Sequence, residues 1–227
     1  MVKRSIFLNG IIITIACFLC LIFYRNMVPS DETLFEDILT DSVGLMAVLI
    51  GQYLRISARG YKSEKLLKSS SLIITGPYAL VRNPMYLASF LMGLGLVILV
   101  LEWVWIPLYF VFFALWYWPQ IVNEQKWLEK KYGTAFIEYK KTTPCFFPKV
   151  RSIMEFNGQR SIPLKGVWIK KEWNTIVIWV IVAFATEGYG DIKSFGIASF
   201  VKELVFLIMV IILFIVLAFF FRSDEEI

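Results

Sequence analysis

Apolar and polar residues fall in long blocks along this chain instead of alternating, and the blocks set the lengths of its elements. Apolar runs cover residues 6–23, 42–54, 85–101, 108–122, 173–186 and 204–221. An α-helix crosses a bilayer with about 20 apolar residues. Backbone in lipid must satisfy its own hydrogen bonds, which helices do. The pattern therefore predicts an all-α, polytopic membrane helix bundle with about five to six transmembrane helices. The run at 42–54 is short unless it extends back through Leu34-Phe35 and on through Ile56. Gly44 and Gly51 on it allow close helix approach. The run at 173–186 is short as well.

The polar stretches between the runs give an orientation. Met1 to Arg4 is basic, and the loop after the first run is acidic, with Asp31, Glu32, Glu36, Asp37 and Asp41. No small-x-small cleavage site follows the first run, so it reads as a retained anchor with a cytoplasmic N-terminus. Arg55, Arg59, Lys62, Lys65 and Lys68 fall on the same side. Trp103 and Trp105 mark the far interface, and Trp116-Tyr117-Trp118-Pro119 an aromatic belt with a kink. Residues 123–141 read as an amphipathic helix on the cytoplasmic surface. Residues 142–172 read as polar and irregular, with a turn at Asn157-Gly158. The chain divides into a transmembrane anchor with an external loop (1–41), a membrane core (42–150), and a cytoplasmic linker with C-terminal transmembrane helices (151–227).

Composition narrows the chemistry. The 227 residues are 58% hydrophobic and 18% charged, without a histidine. Histidine acid–base catalysis, Ser-His-Asp triads and histidine-ligated metals are thereby excluded. The net charge of +5 resides in loops between spans, where it signals topology and not nucleic acid. Cys17 and Cys20 form a C-x-x-C inside an apolar run with no second ligand pair. They read as small membrane residues, and no metal site is expected. Cys145 stands alone.

The chemistry-bearing stretch is Thr75-Gly76-Pro77-Tyr78-Ala79-Leu80-Val81-Arg82-Asn83-Pro84-Met85-Tyr86. Gly76-Pro77 is a turn, and Asn83-Pro84 opens the next helix with proline in its first turn. Free N–H groups there, beside Arg82, favour an anion. Tyr78 and Tyr86 offer faces for a cation such as a sulfonium. Glu124 suits a ribose hydroxyl or an ammonium. These features suit a zwitterionic, nucleotide-like cofactor at the cytoplasmic face. Spacing alone equally allows a capped helix with interface aromatics and one snorkelling arginine.

Two blocks resemble a known family. Gly76-Pro77-Tyr78, Arg82-Asn83-Pro84-Met85-Tyr86 and Gly95 form the first; Glu124-Gln125-Lys126-Trp127-Leu128, Tyr132-Gly133, Phe136, Tyr139 and Pro148 form the second. Together, over about Gly51 to Pro148, they resemble the isoprenylcysteine carboxyl methyltransferase and phospholipid methyltransferase family. The resemblance implies S-adenosylmethionine as cofactor and a lipid or lipidated acceptor. It implies cofactor contacts from Ser70, Ser71, Leu72, Ile73, Tyr78, Asn83, Pro84, Met85, Tyr86 and Glu124, with Arg82 and Glu124 as catalytic candidates. The family's motif histidine is Asn83 here, and its second glutamate is Gln125. A glutamine ahead of the strip in some relatives falls at Ser63. The arginine that carboxyl methyltransferases place for the acceptor carboxylate is Gln120, the substrate candidate, with Arg82 or Lys126 as conceivable substitutes.

A deprotonated carboxylate or thiolate acceptor needs no general base, whereas an ammonium does. The expected activity is thus carboxyl O-methyltransferase-like, with phospholipid amine N-methylation the alternative. A sterol-type reductase using NADPH shares the block from Tyr132-Gly133 to Pro148, and a non-catalytic scaffold or pore is a further reading. Thr186-Glu187-Gly188-Tyr189-Gly190-Asp191 resembles a potassium-channel filter, but a glutamate stands where the filter has valine.

Overall fold

A computed structural model describes residues 34–100, 105–149 and 161–172, with isolated positions at 154, 201, 205, 208, 209 and 212. The expected spans at 6–23 and 173–186, the Cys17–Cys20 pair and the filter-like hexapeptide lie outside the described residues. So does 204–221, isolated positions apart.

The described residues are helical, without a strand. In chain order the helices are α1 (Leu34–Lys68), α2 (Pro77–Leu80), α3 (Pro84–Val100), α4 (Trp105–Tyr132) and α5 (Thr134–Thr142). The short apolar run at 42–54 is the middle of α1, a 35-residue helix. The basic stretch after it continues the same helix, because nothing between Arg55 and Lys68 breaks it except Gly60, which is used in packing.

α1 and α3 form the main interface, and their glycines set its closeness. A Cβ on Gly95 would lie 2.5 Å from the Gly44 carbonyl oxygen and 2.8 Å from Val48 N. A Cβ on Gly51 would lie 2.8 Å from the Ala88 carbonyl oxygen. The backbones touch where side chains are missing. Leu54, Val81, Leu87, Ala88, Phe90 and Phe113 form a buried cluster joining α1, α3 and α4. Phe90 lies at its centre, with Phe110, Phe113 and Phe146 packed edge-on.

α4 is long and apolar enough to cross a membrane, and only 11% of that stretch is buried in the protein. Its Leu108, Val111, Phe112, Leu115 and Trp118 are exposed, as suits a surface turned to lipid. The expectation of a span over 108–122 followed by a separate surface helix over 123–141 is corrected. α4 runs through Pro119 to Tyr132, and the break comes at Gly133, with φ of 55°. Only glycine takes that conformation without strain, so the chain turns there.

Residues 142–172 are less irregular than expected. Residues 166–172 are helical and pack on α1. Trp168 fills the space left by Gly60, where a Cβ would meet its indole. Lys165 pairs with Glu64 at 3.1 Å, and Tyr53 donates to the Ile162 carbonyl at 3.1 Å.

Candidate active site

The strip is built as its turn residues dictate. Gly76 has φ of 61°, and a Cβ there would lie 2.9 Å from the Tyr61 ring. Pro77 starts α2, Val81 N–H donates to Pro77 O, and Pro84 starts α3. Arg82 and Asn83 lie between the two helices.

The second block folds back onto this strip. Tyr132 donates to the Ser70 carbonyl at 3.0 Å, and Tyr139 donates to the Tyr78 carbonyl at 2.5 Å. Arg82 N–H donates to the Pro144 carbonyl at 2.8 Å, and Arg82 Nη1 donates to Gln125 Oε1 at 3.0 Å. Asn83 Nδ2 donates to the Cys145 carbonyl at 2.9 Å. Gln125 Nε2 approaches the Cys145 sulfur at 2.9 Å, and Asn83 Nδ2 does so at 3.4 Å. Asn83 and Gln125, the two amides standing at the motif's histidine and glutamate, therefore converge on one thiol. The segment Pro144–Cys145 is strapped across the start of α3.

Glu124 sits beside this junction. It faces Lys62 Nζ at 3.5 Å, and Tyr86 lies within its reach. Tyr86 stands edge-on to Tyr117, with ring centroids 5.7 Å apart. The expected anion site at the start of α3 is narrower than the sequence suggests, because Arg82 N–H is spent on the strap. Arg82 Nε, by contrast, is enclosed and unpartnered among the described residues.

The remaining candidates are placed as follows. Ser70 and Ser71 are exposed, while Leu72, Ile73 and Met85 are half-buried and Pro84 is buried. Tyr78 is buried, and its hydroxyl points to the Ala58 carbonyl at 3.5 Å. Burial pushes its phenol well above the ordinary tyrosine range, and Glu124 and then Tyr139 add to the rise. Burial likewise raises Tyr139, with Arg82 opposing. Gln120 donates to Trp116 O of its own helix at 3.3 Å. Lys126 is exposed. A groove of about 400 Å³ lined by Ser42, Val43, Met46, Ala47, Ile50 and Leu91 is apolar and holds none of these candidates. Among the described residues no three His, Cys, Asp or Glu side chains converge as a metal-binding group.

Sequence reasoning missed Lys62 as the partner of Glu124, Cys145 as the anchor of the strap, and Arg55. Arg55 Nη1 donates to Ser89 Oγ on α3 at 3.1 Å. Its only signal in the sequence was its place directly after an apolar run.

The sequence model of the phospholipid methyltransferase family matches residues 39–135. The nickel-cobalt-cadmium resistance protein NccN of Alcaligenes xylosoxydans is 29% identical over 109 residues, 48% of this chain and 50% of that protein. The cobalt-zinc-cadmium resistance protein CzcN of Cupriavidus metallidurans is 30% identical over 109 residues, 48% of this chain and 49% of that protein. The protein-S-isoprenylcysteine O-methyltransferase of Schizosaccharomyces pombe is 28% identical over 119 residues, 49% of this chain and 50% of that protein. The chain thus spans about half the length of the curated relatives it matches. No solved structure matches it. Both motif blocks begin inside the matched region, so the stretch 39–135 is similar in sequence to the phospholipid methyltransferase family and, distantly, to isoprenylcysteine O-methyltransferase.

Proposed function

We propose that the chain is an integral membrane methyltransferase using S-adenosylmethionine on a lipid-like or prenylated acceptor, in the manner of an isoprenylcysteine carboxyl O-methyltransferase. The observation that carries this reading is the junction of the two blocks. Arg82 is tied to Gln125, while the adjacent Glu124 faces Lys62 and Tyr86. The family likeness of residues 39–135 supports a membrane methyltransferase.

The residues fit the cofactor. Arg82 offers an enclosed, unpartnered Nε to a carboxylate, with a charge-assisted hydrogen bond. Glu124 suits ribose hydroxyls or an ammonium. Tyr86 and Tyr117 present aromatic surface to a sulfonium. When bound, the cofactor supplies a methyl group whose bond to sulfur breaks, its electron pair staying on sulfur as the acceptor's lone pair forms the new bond.

The protein's own contribution is position. Holding both partners in line replaces a bimolecular encounter and supplies much of the acceleration. A carboxylate or thiolate acceptor needs no base. In the N-methylation alternative the acceptor amine first loses a proton, and Glu124 or a tyrosine takes it. In this reading the N-terminus and site face the cytoplasm. The cofactor enters from water and the acceptor enters sideways from the bilayer, with residues 42–150 as the core.

Calorimetric titration of the detergent-purified chain with S-adenosylmethionine tests this, with NADPH as comparison. Saturable binding that Glu124→Ala weakens by at least about tenfold supports it. No binding by a folded protein overturns it.

A further inference from the structure

Gln120 stands where a carboxyl methyltransferase would offer a cation, and its amide is turned to its own helix. The structure supplies a different cation. Arg55 lies on the face of α1 that meets α3, and its described hydrogen bond goes to a neutral hydroxyl, Ser89. Its Nε is fully enclosed with no partner among the described residues. One turn away, Gln52 is 6% exposed, and neither its Nε2 nor its Oε1 has a partner among the described residues. Buried polar atoms left unpartnered are costly and call for an explanation.

The charges around Arg55 do not cancel. Glu172 is 4% exposed and pairs with Arg59. Arg55 feels the same carboxylate without a direct bond to it. Among the described residues, two guanidinium groups thus share one carboxylate and leave one positive charge over. Lys62 is paired with Glu124, and Arg82, held by Gln125, is the cation assigned above to the cofactor. Tyr117 of α4 lies close enough to Arg55 to interact with it, and Tyr117 touches Tyr86. Arg55 is therefore linked to the carboxylate of Glu124 through two tyrosines, Tyr117 and Tyr86.

We propose that Arg55, with Gln52 beside it, holds the anionic head of the acceptor, a carboxylate or phosphate oxoanion, while the acceptor's apolar tail stays in lipid. A planar guanidinium with a free Nε matches such an oxoanion in two-point geometry. The bound anion neutralises the surplus charge and gives Arg55 Nε and the Gln52 amide partners. The proposal rests on the methyltransferase reading only in calling that anion the acceptor.

The test is binding by the full chain in detergent, without cofactor, read by microscale thermophoresis. The probes are a farnesylated N-acetylcysteine carboxylate and the same molecule as its neutral carboxamide. The wild type is expected to prefer the carboxylate by at least about tenfold. Arg55→Gln is expected to abolish that preference, and Arg55→Lys to keep only part of it, because an ammonium keeps the charge and loses the two-point match. Dioleoylphosphatidic acid, used as competitor, separates the sources. Displacement of the carboxylate probe assigns the site to oxoanions generally, and no displacement assigns it to carboxylates. Both results support the site. A wild type that binds carboxylate and carboxamide equally overturns it, even if Arg55→Gln does not fold. A folded Arg55→Gln that keeps the preference overturns it too. Titration with S-adenosylmethionine is run separately. An anion preference without cofactor binding would leave the Arg55 site standing and sink the methyltransferase reading.

Discussion

Asn83 donates its side-chain amide to the carbonyl of Cys145, 62 residues later, at 2.9 Å. Asn83 is 6% exposed, and the bond is partly shielded from water. It fixes the strap across the start of α3 and thereby the neighbourhood of Arg82. Asn83→Ala leaves a partly buried carbonyl unpaired and is expected to cost about 1 kcal/mol, seen as a lower melting temperature in detergent. In a Cys17→Ala, Cys20→Ala background, Cys145 is also expected to react with maleimide several-fold faster once Asn83 or Gln125 is truncated. Unchanged labelling would show that the strap does not depend on these amides.

Gly95 and Gly133 test two different reasons for a glycine. At Gly95 a Cβ would strike the backbone of α1, so Gly95→Ala must push α1 and α3 apart, at about 1–3 kcal/mol. At Gly133 nothing lies within 4 Å of a Cβ, but φ is 55°. There Gly133→Ala is expected to lower the melting temperature although it meets no neighbour, because φ of 55° with ψ of −127° is open essentially only to glycine. An unchanged melting temperature for Gly133→Ala would contradict the conformational reading.

The phenols of Tyr78 and Tyr139 are both raised by burial above the ordinary value of 10.0. When a folded-state pKa exceeds the unfolded one, the unfolded chain releases its proton first. The stabilisation is therefore complete below pH 10 and lost as pH climbs beyond it. Absorbance at 295 nm should show fewer tyrosines ionising at pH 11 in the folded protein than in denaturant. Tyr139→Phe should shrink that difference and soften the alkaline fall in melting temperature.

Glu124 and Lys62 are both partly exposed, and an exposed ion pair contributes little stability. Neither Glu124→Ala nor Lys62→Ala is expected to shift the melting temperature appreciably. Their effects on S-adenosylmethionine titration should differ. Lys62→Ala should change affinity by less than about threefold and Glu124→Ala by at least about tenfold. Equal losses would move cofactor recognition from the carboxylate to the pair.

What the sequence made legible was the pairing of two distant blocks, through their joint resemblance to a known family, since spacing alone equally allowed a capped helix with interface aromatics. The apolar block from Pro84 was legible as a helix for the same reason that it is apolar all round. The strap was not. Asn83 and Gln125 were readable as departures from a motif, but a hydrogen bond to Cys145 depends on a turn at Gly133 that redirects the chain. The packing of 161–172 on α1 was hidden too. Its anchors, Leu164, Trp168 and Glu172, are scattered through a polar stretch and match a face of α1 recognisable only in three dimensions. Arg55 was read as a topology signal because charge at the end of an apolar run usually is one.

α1 has no joint along its length. At about 1.5 Å per residue it is a rod of roughly 50 Å, with Gly44 and Gly51 packed against α3 and Arg55, Arg59 and Lys62 on its C-terminal half. Glu124 rides on α4 instead. A thicker or thinner bilayer tilts long helices, and a rod passes tilt undiminished from one end to the other. Such a tilt moves Lys62 relative to Glu124 and Arg55 relative to Tyr117 together. In the proposed reading, the spacing between the acceptor end and the cofactor end of the site would then follow the thickness of the membrane.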